Sequence, residues 1–453
     1  MLKIEAPAFA MRWPLASVRV STPVLIVAGI TGVGLALRLT WALYADTIPL
    51  GGDPRWYYVV GINLAKGYGF VTARDEFFLE KPGPGFVTAF WPPGYPFVLA
   101  AIFKTFGVSI TAAKVFNALF GAATVPFVYA LGRRIFDART GLIAAGIFAV
   151  FPNAISWTPL LFPEEFFTLL LVAALWLLVA FPPGANRHWP AVAGFGVLMG
   201  IAALTRGQAA VLVPVAAVFW LGAAGWRPAL RASAVSLLIA AAVIAPWTIR
   251  NAVQMNAFIP ISTNSAAALR AGHAPDATGT TGWPRDRIDG FYMWQSLYRP
   301  DWEVKGYREY TKRGLEYAFT HPGHETELTG SKIYHLYRSD SDIIPWLTTL
   351  GATPLEPDGL DDALRRAFDY AYYALFFAAI ASVPLWLRRN PARVMLISIV
   401  AFWTLFHIAF LSEPRYHVPL YPVFAIAAAA GVSTLLTYAR RAIDRRGAPA
   451  EAT

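Results

Sequence analysis

Residues 230–249 have the sequence LRASAVSLLIAAAVIAPWTI. This run carries a single charge and has the length of a helix that crosses a bilayer, which takes about 20 apolar residues. Nine further apolar stretches of similar character occur along the chain. The ten predicted spans cover residues 23–44, 113–132, 140–158, 164–181, 190–205, 208–224, 230–249, 367–387, 392–411 and 416–438. The sequence therefore predicts an all-α polytopic membrane protein.

The composition of the whole chain agrees with this class. Of its 453 residues, 56% are hydrophobic and 15% are charged, whereas about 25% are charged in a typical soluble domain. That balance excludes a disordered protein and disfavours an ordinary cytosolic enzyme. The chain has no cysteine, so neither a disulfide framework nor a thiolate metal site can form.

The formal net charge of +10 is unevenly distributed. The long polar stretch 251–366 holds 12 basic and 15 acidic residues, so the positive excess lies in short loops between apolar runs. Basic short loops orient membrane helices and are not the footprint of a nucleic-acid-binding surface. We therefore expect membrane lipids, and no nucleic acid, among the partners.

The basic residues also predict a topology. With ten spans and both termini in the cytoplasm, every inside segment is basic, as the positive-inside rule requires. These segments carry Lys3, Arg12, Arg19, Arg133, Arg134, Arg139, Arg187, Arg227, Arg231, Arg388, Arg389, Arg393, Arg440, Arg441, Arg445 and Arg446. The sequence thus predicts a multi-pass protein of the plasma (inner) membrane with its active site on the extracytoplasmic face.

A further apolar stretch, residues 94–106, would invert this pattern if it crossed the membrane. We interpret it as an interfacial or re-entrant helix, while a count of eleven spans stays open. The predicted organisation is a membrane catalytic core over residues 1–250, with a first outer loop at 45–93; an extracytoplasmic loop domain over 251–366; and C-terminal transmembrane helices with a cytoplasmic tail over 367–453.

Charged residues at the ends of the predicted spans gather on the outer face. An enzyme embedded in a membrane must hold its chemistry at a face or cavity that water reaches, so these residues are the candidates for a site. They are Asp53, Lys81, Glu164, Glu165, Arg206, Arg250, Glu413, Arg415 and His417.

Asp53 lies in the stretch LGGDPRWYY at residues 50–58, directly after the first span. The two glycines allow a tight turn and a close approach of the backbone to a ligand. Pro54 suits the first turn of a helix, for which Asp53 would be the N-cap. Alternatively, the carboxylate is a general base beside an aromatic-rich cavity.

The other candidates allow similar pairs of interpretations. Lys81 is either a surface cation paired with Glu80 or a phosphate ligand. Glu164 and Glu165 begin an apolar stretch, where acids interact favourably with the helix dipole.

Three arginines, Arg206, Arg250 and Arg415, lie at the ends of spans. Each either extends its side chain to the interface or faces a cavity. Neither a G-x-x-x-x-G-K-[ST] loop nor an H-E-x-x-H motif occurs, so the sequence predicts no P-loop nucleotide site and no zinc-protease site. We expect no metal site.

The order of short motifs along the chain resembles the bacterial members of the dolichyl-phosphate-mannose protein mannosyltransferase family. It is more distantly similar to the lipid A aminoarabinose transferases, and both belong to the C-type (GT-C) superfamily of membrane glycosyltransferases. The resemblance covers most of the chain. It rests on GD at 52–53 with YY at 57–58 and NLA at 63–65, WPPGYP at 91–96, GRRIF at 132–136, LFPE at 161–164, LTR at 204–206, PW at 246–247 with RN at 250–251, STN at 262–264, HPG at 321–323 with Lys332, and PRYHVP at 414–419.

This resemblance implies an inverting glycosyltransferase that moves a sugar from a polyprenyl-phosphate donor to an acceptor glycan, lipid or protein. It implies Asp53 as the catalytic base and Glu164 as the second acid, with Glu165 as the alternative register. The residues implied to bind the donor and its phosphate are Lys81, Arg206, Arg250 and Arg415, and we add Tyr57 and His417 from the same motifs.

The chain departs from the family pattern at two points. Asp53 is followed by Pro54, where many members carry paired acids, so no cofactor is obligatory and a divalent cation is not implied. Residues 251–366 are too few for the luminal β-trefoil of the protein mannosyltransferases, so a protein acceptor is not implied. A polytopic lipid or sugar transporter, a flippase without transferase activity, and a membrane scaffold remain the alternatives.

Overall fold

The computed structural model describes residues 22–49, 51–74, 80–184, 188–280, 300–349, 351–352, 360–388 and 390–447. Five of the basic residues used to predict the topology, Lys3, Arg12, Arg19, Arg187 and Arg389, lie outside this part of the chain. Helices α1 to α17 span, in order, Thr22–Tyr44, Gly52–Ala65, Gly94–Phe106, Ile110–Ile135, Ala138–Val150, Pro152–Ser156, Glu164–Ala180, Trp189–Thr205, Leu212–Ala224, Trp226–Met255, Asn264–Gly272, Pro300–Thr320, Pro322–Tyr337, Ile343–Thr349, Leu360–Trp386, Pro391–Ile408 and Tyr421–Gly447.

Short 3₁₀ helices and strands complete the described elements. The 3₁₀ helices are Gly207–Val211, before α9, and Pro414–Leu420, before α17. The strands are β1 (Asp46–Thr47), β2 (Val71–Arg74), β3 (Glu80–Val87) and β4 (Gly351–Ala352); β1 pairs antiparallel with β4, and β2 with β3. The predicted all-α class is therefore confirmed.

Seven helical segments among the described residues are long and apolar enough to cross a membrane. They are Thr22–Tyr44, Ile110–Ile135, Gly207–Ala224, Trp226–Met255, Asp362–Trp386, Pro391–Ile408 and Pro414–Arg441. Each coincides with one of the ten predicted spans, as expected of a multi-pass membrane protein.

The other three predicted spans are shorter helices. Residues 140–158 form two helices, α5 and α6, because Phe151 precedes Pro152 and adopts an extended conformation, as residues before proline prefer. Helices α7 and α8 have 17 residues each. Helix α3 covers the residues of the predicted interfacial helix, 94–106.

Helix α4 lies at the centre of the bundle and packs against α1, α5 and α7. Its contact with α5 is close, because a Cβ added to Gly141 would lie 2.6 Å from the carbonyl oxygen of Tyr129. Small residues at helix crossings let two backbones approach in this way. Arg38 of α1 is buried in the same bundle and donates a hydrogen bond of 3.0 Å to the carbonyl of Ala149.

Two segments outside this bundle are joined through their backbones. The first loop, residues 45–93, carries β1, α2 and the β2–β3 hairpin; the second, residues 256–352, carries α11 to α14. The amide of Thr263 donates to the carbonyl of Ala89 (2.9 Å), and the amide of Asn264 donates to that of Phe90 (3.0 Å). These bonds place the beginning of α11 against the end of the first loop.

Candidate active site

A cavity of about 350 Å³ lies where these two segments meet the ends of α8 and α16. Its volume falls in the range of small-molecule sites, about 300–1,000 Å³. The lining residues with polar side chains are Tyr57, Trp91, Thr205, Arg206, Gln208, Ser262, Asn264, Ser265, Tyr307, His407, Arg415 and Tyr416. Two arginines and no carboxylate line the cavity within the described part of the chain.

Arg415 enters this cavity from the 3₁₀ helix Pro414–Leu420. Its Nη1 donates to Oδ2 of Asp53 at 3.0 Å, and its Nε lies 2.7 Å from Oε2 of Glu413. The guanidinium also lies 5.4 Å from the ring centroid of Trp346. Two carboxylates and an aromatic ring thus hold a buried cation in one orientation.

Arg206 is the second cation of the cavity. It follows α8 in an extended conformation, and its Nη2 lies 3.0 Å from Oε1 of Glu164. Glu164 is 1% exposed and stands in the first turn of α7, where the helix dipole favours a negative charge. Nη1 of Arg206 has no hydrogen-bond partner among the described residues.

Asp53 and Tyr57 lie one turn apart in α2, which begins at Gly52. The side chain of Asp53 is 21% exposed, and its Oδ1 makes no hydrogen bond to the described residues. Tyr57 is buried with its ring edge-on to that of Tyr95, 5.6 Å between centroids. Burial raises the pKa of the Tyr57 phenol and the Asp53 carboxylate raises it further, so the hydroxyl remains a donor at neutral pH.

Glu165 directly follows Glu164 in the sequence but makes different contacts. Glu165 is buried between α4 and α7, accepts a hydrogen bond of 3.3 Å from Thr158, and adjoins the tightly packed Gly121. Of the two registers considered from the sequence, Glu164 is the one paired with a cavity arginine. Its predicted role nevertheless stays a prediction.

Arg250 does not line the cavity. Its guanidinium donates to the carbonyls of Thr88 (2.7 Å) and Phe70 (2.8 Å) and stacks over the ring of Trp247 at 4.7 Å. The side chain therefore ties the end of α10 to both ends of the β2–β3 hairpin. Its predicted role in phosphate binding would require it to act from behind the cavity wall.

Lys81 and His417 are also placed away from the lining residues. Lys81 is exposed on β3. His417 is fully buried, with its ring stacked on Tyr372 at 4.4 Å and its Nε2 3.4 Å from Oδ1 of Asp340. The structure thus brings together Asp53, Tyr57, Glu164, Arg206 and Arg415, and it separates Lys81, Arg250 and His417 from them.

Glu303 is a residue of this region that the sequence did not single out. Its carboxylate is buried and accepts hydrogen bonds from Oγ1 of Thr88 (2.9 Å), the amide of Ala89 (2.9 Å) and Oγ1 of Thr263 (2.8 Å). Burial raises its pKa to about 6, against the lowering effect of these bonds. In the sequence Glu303 is only an acid in the first turn of a helix, which helix-dipole effects alone would explain.

No three His, Asp or Glu side chains are grouped to hold a metal ion in the described ranges. The acids nearest the cavity, Asp53, Glu164 and Glu413, are each paired with an arginine.

Residues 91–249 match the dolichyl-phosphate-mannose-protein mannosyltransferase family. This match includes Trp91, Glu164 and Arg206 of the site. It confirms, over that part of the chain, the resemblance recognised from the sequence. No curated protein matches the sequence at a significant level.

Solved structures to which this chain is similar are distant from it in sequence. The oligosaccharyltransferase of Archaeoglobus fulgidus in the apo form has a TM-score of 0.55 and 15% identity, over 95% of this chain and 53% of that one. The same enzyme, AglB, in complex with an inhibitory peptide and a dolichol-phosphate has a TM-score of 0.54 and 14% identity, over 95% and 52%. ArnT from Cupriavidus metallidurans bound to undecaprenyl phosphate has a TM-score of 0.42 and 16% identity, over 91% and 78%.

The present chain therefore spans about half the length of the oligosaccharyltransferase. At these identities the likeness establishes the architecture, which is that of the GT-C membrane glycosyltransferases, as the sequence predicted.

Proposed function

We propose that this chain is an inverting glycosyltransferase that transfers a sugar from a polyprenyl-phosphate donor to an acceptor glycan, lipid or protein at the extracytoplasmic membrane face. The observation that carries the proposal is the pair Arg206 and Arg415 in the lining of one cavity, each held by an acid that does not itself line it. The match of residues 91–249 to the dolichyl-phosphate-mannose-protein mannosyltransferase family supports it. So does a fold shared with an oligosaccharyltransferase whose structure was solved in complex with a dolichol-phosphate.

The donor phosphate would bind between these two cations. When the sugar leaves, the phosphodiester becomes a phosphate monoester and gains negative charge. The guanidinium groups of Arg206 and Arg415, each oriented by an acid, can stabilise that charge, because donors fixed in advance lose little to reorganisation. Because the nearby acids are already paired with arginines, we propose that these cations, and no obligatory divalent metal ion, offset the charge.

Asp53 would act as the base. Its Oδ2 is held by Arg415, which leaves Oδ1 to accept the proton of an acceptor hydroxyl. The acceptor oxygen forms its bond to the anomeric carbon as the bond from that carbon to the phosphate oxygen breaks on the opposite face. The anomeric configuration is then inverted, and the proton ends on Asp53. The protonated phenol of Tyr57, one turn along α2, lines the cavity and can donate to the donor's phosphate or sugar.

The test uses the purified full chain in lipid nanodiscs with a panel of radiolabelled polyprenyl-phosphate sugars and a membrane extract as acceptor. We expect release of polyprenyl phosphate and transfer of label from at least one donor. Asp53→Asn should lower the rate about 10²–10⁴-fold, the usual contribution of a positioned base. The matched variant Glu413→Gln removes the other carboxylate from Arg415 and should cost distinctly less.

Two results would overturn the proposal. In the first, the wild-type protein transfers sugar from no donor but moves a labelled polyprenyl-phosphate sugar across the bilayer. That is the behaviour of a flippase. The other is equal losses for Asp53→Asn and Glu413→Gln, which would reduce Asp53 to an orienting partner of Arg415.

A further inference from the structure

We infer that Trp91 and Asn264, side by side at the rim of the cavity, bind the sugar of the donor through its ring face and hydroxyl groups, and that Glu303 is the positioning residue that holds this rim together. The inference rests on the proposed function, because it places the sugar next to the arginines assigned to the phosphate.

The backbone brings these two residues together. The amide of Asn264 donates to the carbonyl of Phe90 at 3.0 Å, so Asn264 lies beside the residue that precedes Trp91. Both side chains line the cavity. The indole of Trp91 contacts the rings of Phe90 (5.5 Å between centroids) and Tyr57 (5.9 Å). These two ring contacts limit the motion of the indole beside the cavity.

The chemistry of the rim suits hydroxyl groups. The side-chain amide of Asn264 makes no hydrogen bond to the described residues, and neither does that of Gln208 on the adjoining wall. A primary amide offers two donors and an acceptor, and a sugar hydroxyl can use either kind. An aromatic face can pack against the C–H groups of a pyranose or furanose ring.

Glu303 fixes the relative position of the two halves of the rim. Its carboxylate receives hydrogen bonds from Thr88 and Ala89 of the first loop and from Thr263, which directly precedes Asn264. Removing the charge would weaken bonds to both halves at once. Trp91 and Asn264 would then lose their mutual alignment, although neither touches Glu303.

The first experiment separates recognition of the sugar from recognition of the phosphate. Binding of undecaprenyl phosphate and of undecaprenyl-phosphate glucose, mannose and arabinose is measured with wild type and Asn264→Ala. Wild type should bind at least one of the three sugar lipids more tightly than undecaprenyl phosphate. Loss of one buried hydrogen-bonding group costs about 10- to 100-fold, so Asn264→Ala should reduce that preference by this factor and leave binding of undecaprenyl phosphate unchanged.

The second experiment tests Glu303 as a positioning residue. Glu303→Gln should lose the same preference for the sugar lipid, with an unchanged affinity for undecaprenyl phosphate in protein that remains folded. The control Asp301→Asn removes an exposed acid from the same helical turn, and should behave as wild type.

The outcomes distinguish the two proposals. If wild type binds neither undecaprenyl phosphate nor any of the sugar lipids, the proposed function fails. If wild type prefers a sugar lipid and Asn264→Ala keeps that preference, the rim does not recognise the sugar. In that case only this inference fails.

Discussion

Arg415 and His417 are two residues apart on the same 3₁₀ helix, yet they belong to two different polar clusters. We call the first the arginine cluster: Asp53, Glu164, Arg206, Glu413 and Arg415. We call the second the core cluster: Asn153, Asp340, Asp369, His417 and Tyr421. Both are buried or nearly so, and both unite residues from distant parts of the chain.

The two clusters differ in what their polar groups face. In the core cluster, Oδ2 of Asp340 accepts from both Asn153 and Tyr421, and the amide of Asp340 donates to Asp369 at 2.8 Å. None of its members is among the residues that line the cavity. In the arginine cluster, by contrast, Arg206 and Arg415 line the cavity.

A buried charge near a membrane therefore does not by itself mark a site. Buried polar groups that bond to one another away from any cavity stabilise one arrangement of helices. Cations held rigidly by partners in the wall of a cavity are prepared for a ligand.

The largest expected effect separates the clusters by activity. Arg415→Gln should lower the transfer rate by about 10²–10³-fold, the usual loss when a preorganised donor is removed from a transition state. The measurement is turnover of the donor by the purified variant. Arg338→Gln, which removes a half-exposed arginine paired with Asp342, is the control and should keep wild-type turnover. Normal turnover by Arg415→Gln would contradict the view that the arginine cluster serves transfer and the core cluster does not.

The second effect separates them by stability. Asp340→Ala should lower the free energy of unfolding by about 3 kcal/mol or more, because Asn153 and Tyr421 lose their shared acceptor in a buried place. Denaturant unfolding in detergent checks this, with Asp342→Ala at a less buried position as the control. Turnover per folded molecule should stay near that of wild type. A loss of turnover without a loss of stability would show that the core cluster takes part in catalysis.

The third effect concerns Lys332, which anchors the segment leading to Arg415. Its Nζ donates to the carbonyl of Ile408 at 2.9 Å and lies 3.3 Å from Nε2 of His273. Burial lowers its pKa from 10.5 to about 8. Because the folded pKa is depressed, Lys332 supports folding at a pH above its unfolded pKa, and this support is lost as the pH falls through about 8.

Melting curves between pH 7 and 10 test this linkage. A shift of this size corresponds to about 2–3 kcal/mol, so wild type should lose that much stability toward pH 7 relative to Lys332→Met. The exposed Lys305 provides the control, since Lys305→Met should follow the wild-type profile. Parallel profiles for wild type and Lys332→Met would contradict the prediction.

The smallest effect concerns Lys81. An exposed cation contributes at most about 1 kcal/mol to an ionic contact, so Lys81→Ala should raise the KM for the donor no more than about fivefold and leave kcat unchanged. Added salt should abolish even this difference, because exposed charges are screened. A loss as large as that of Arg415→Gln would place Lys81 in the arginine cluster.

The sequence predicts most of the helices and part of the arginine cluster. The apolar runs predicted the helices well, including α4 and α10, which continue through Pro126 and Pro246. They failed at 140–158, where the first helix ends before Pro152. The residues Asp53, Glu164, Arg206 and Arg415 were recognised as candidates from their charges at span ends and from the family resemblance. Glu303 carries no such signal, because an acid early in a helix occurs at many ordinary positions. Asn264 belongs to the STN motif at 262–264 but has no charge that would single it out.

The chain by itself determined its class, since the length and polarity of a helix that enters a membrane are local properties of consecutive residues. The chain also determined which charged side chains stand at the ends of the spans, where they are available for catalysis or binding. Only the tertiary structure decided that Asp53 meets Arg415, 362 residues later, that Glu164 and not Glu165 meets the cavity arginine, and that His417 turns away. Such pairings depend on how helices cross and on which face of each points inward, and neighbouring residues of a helix point in different directions.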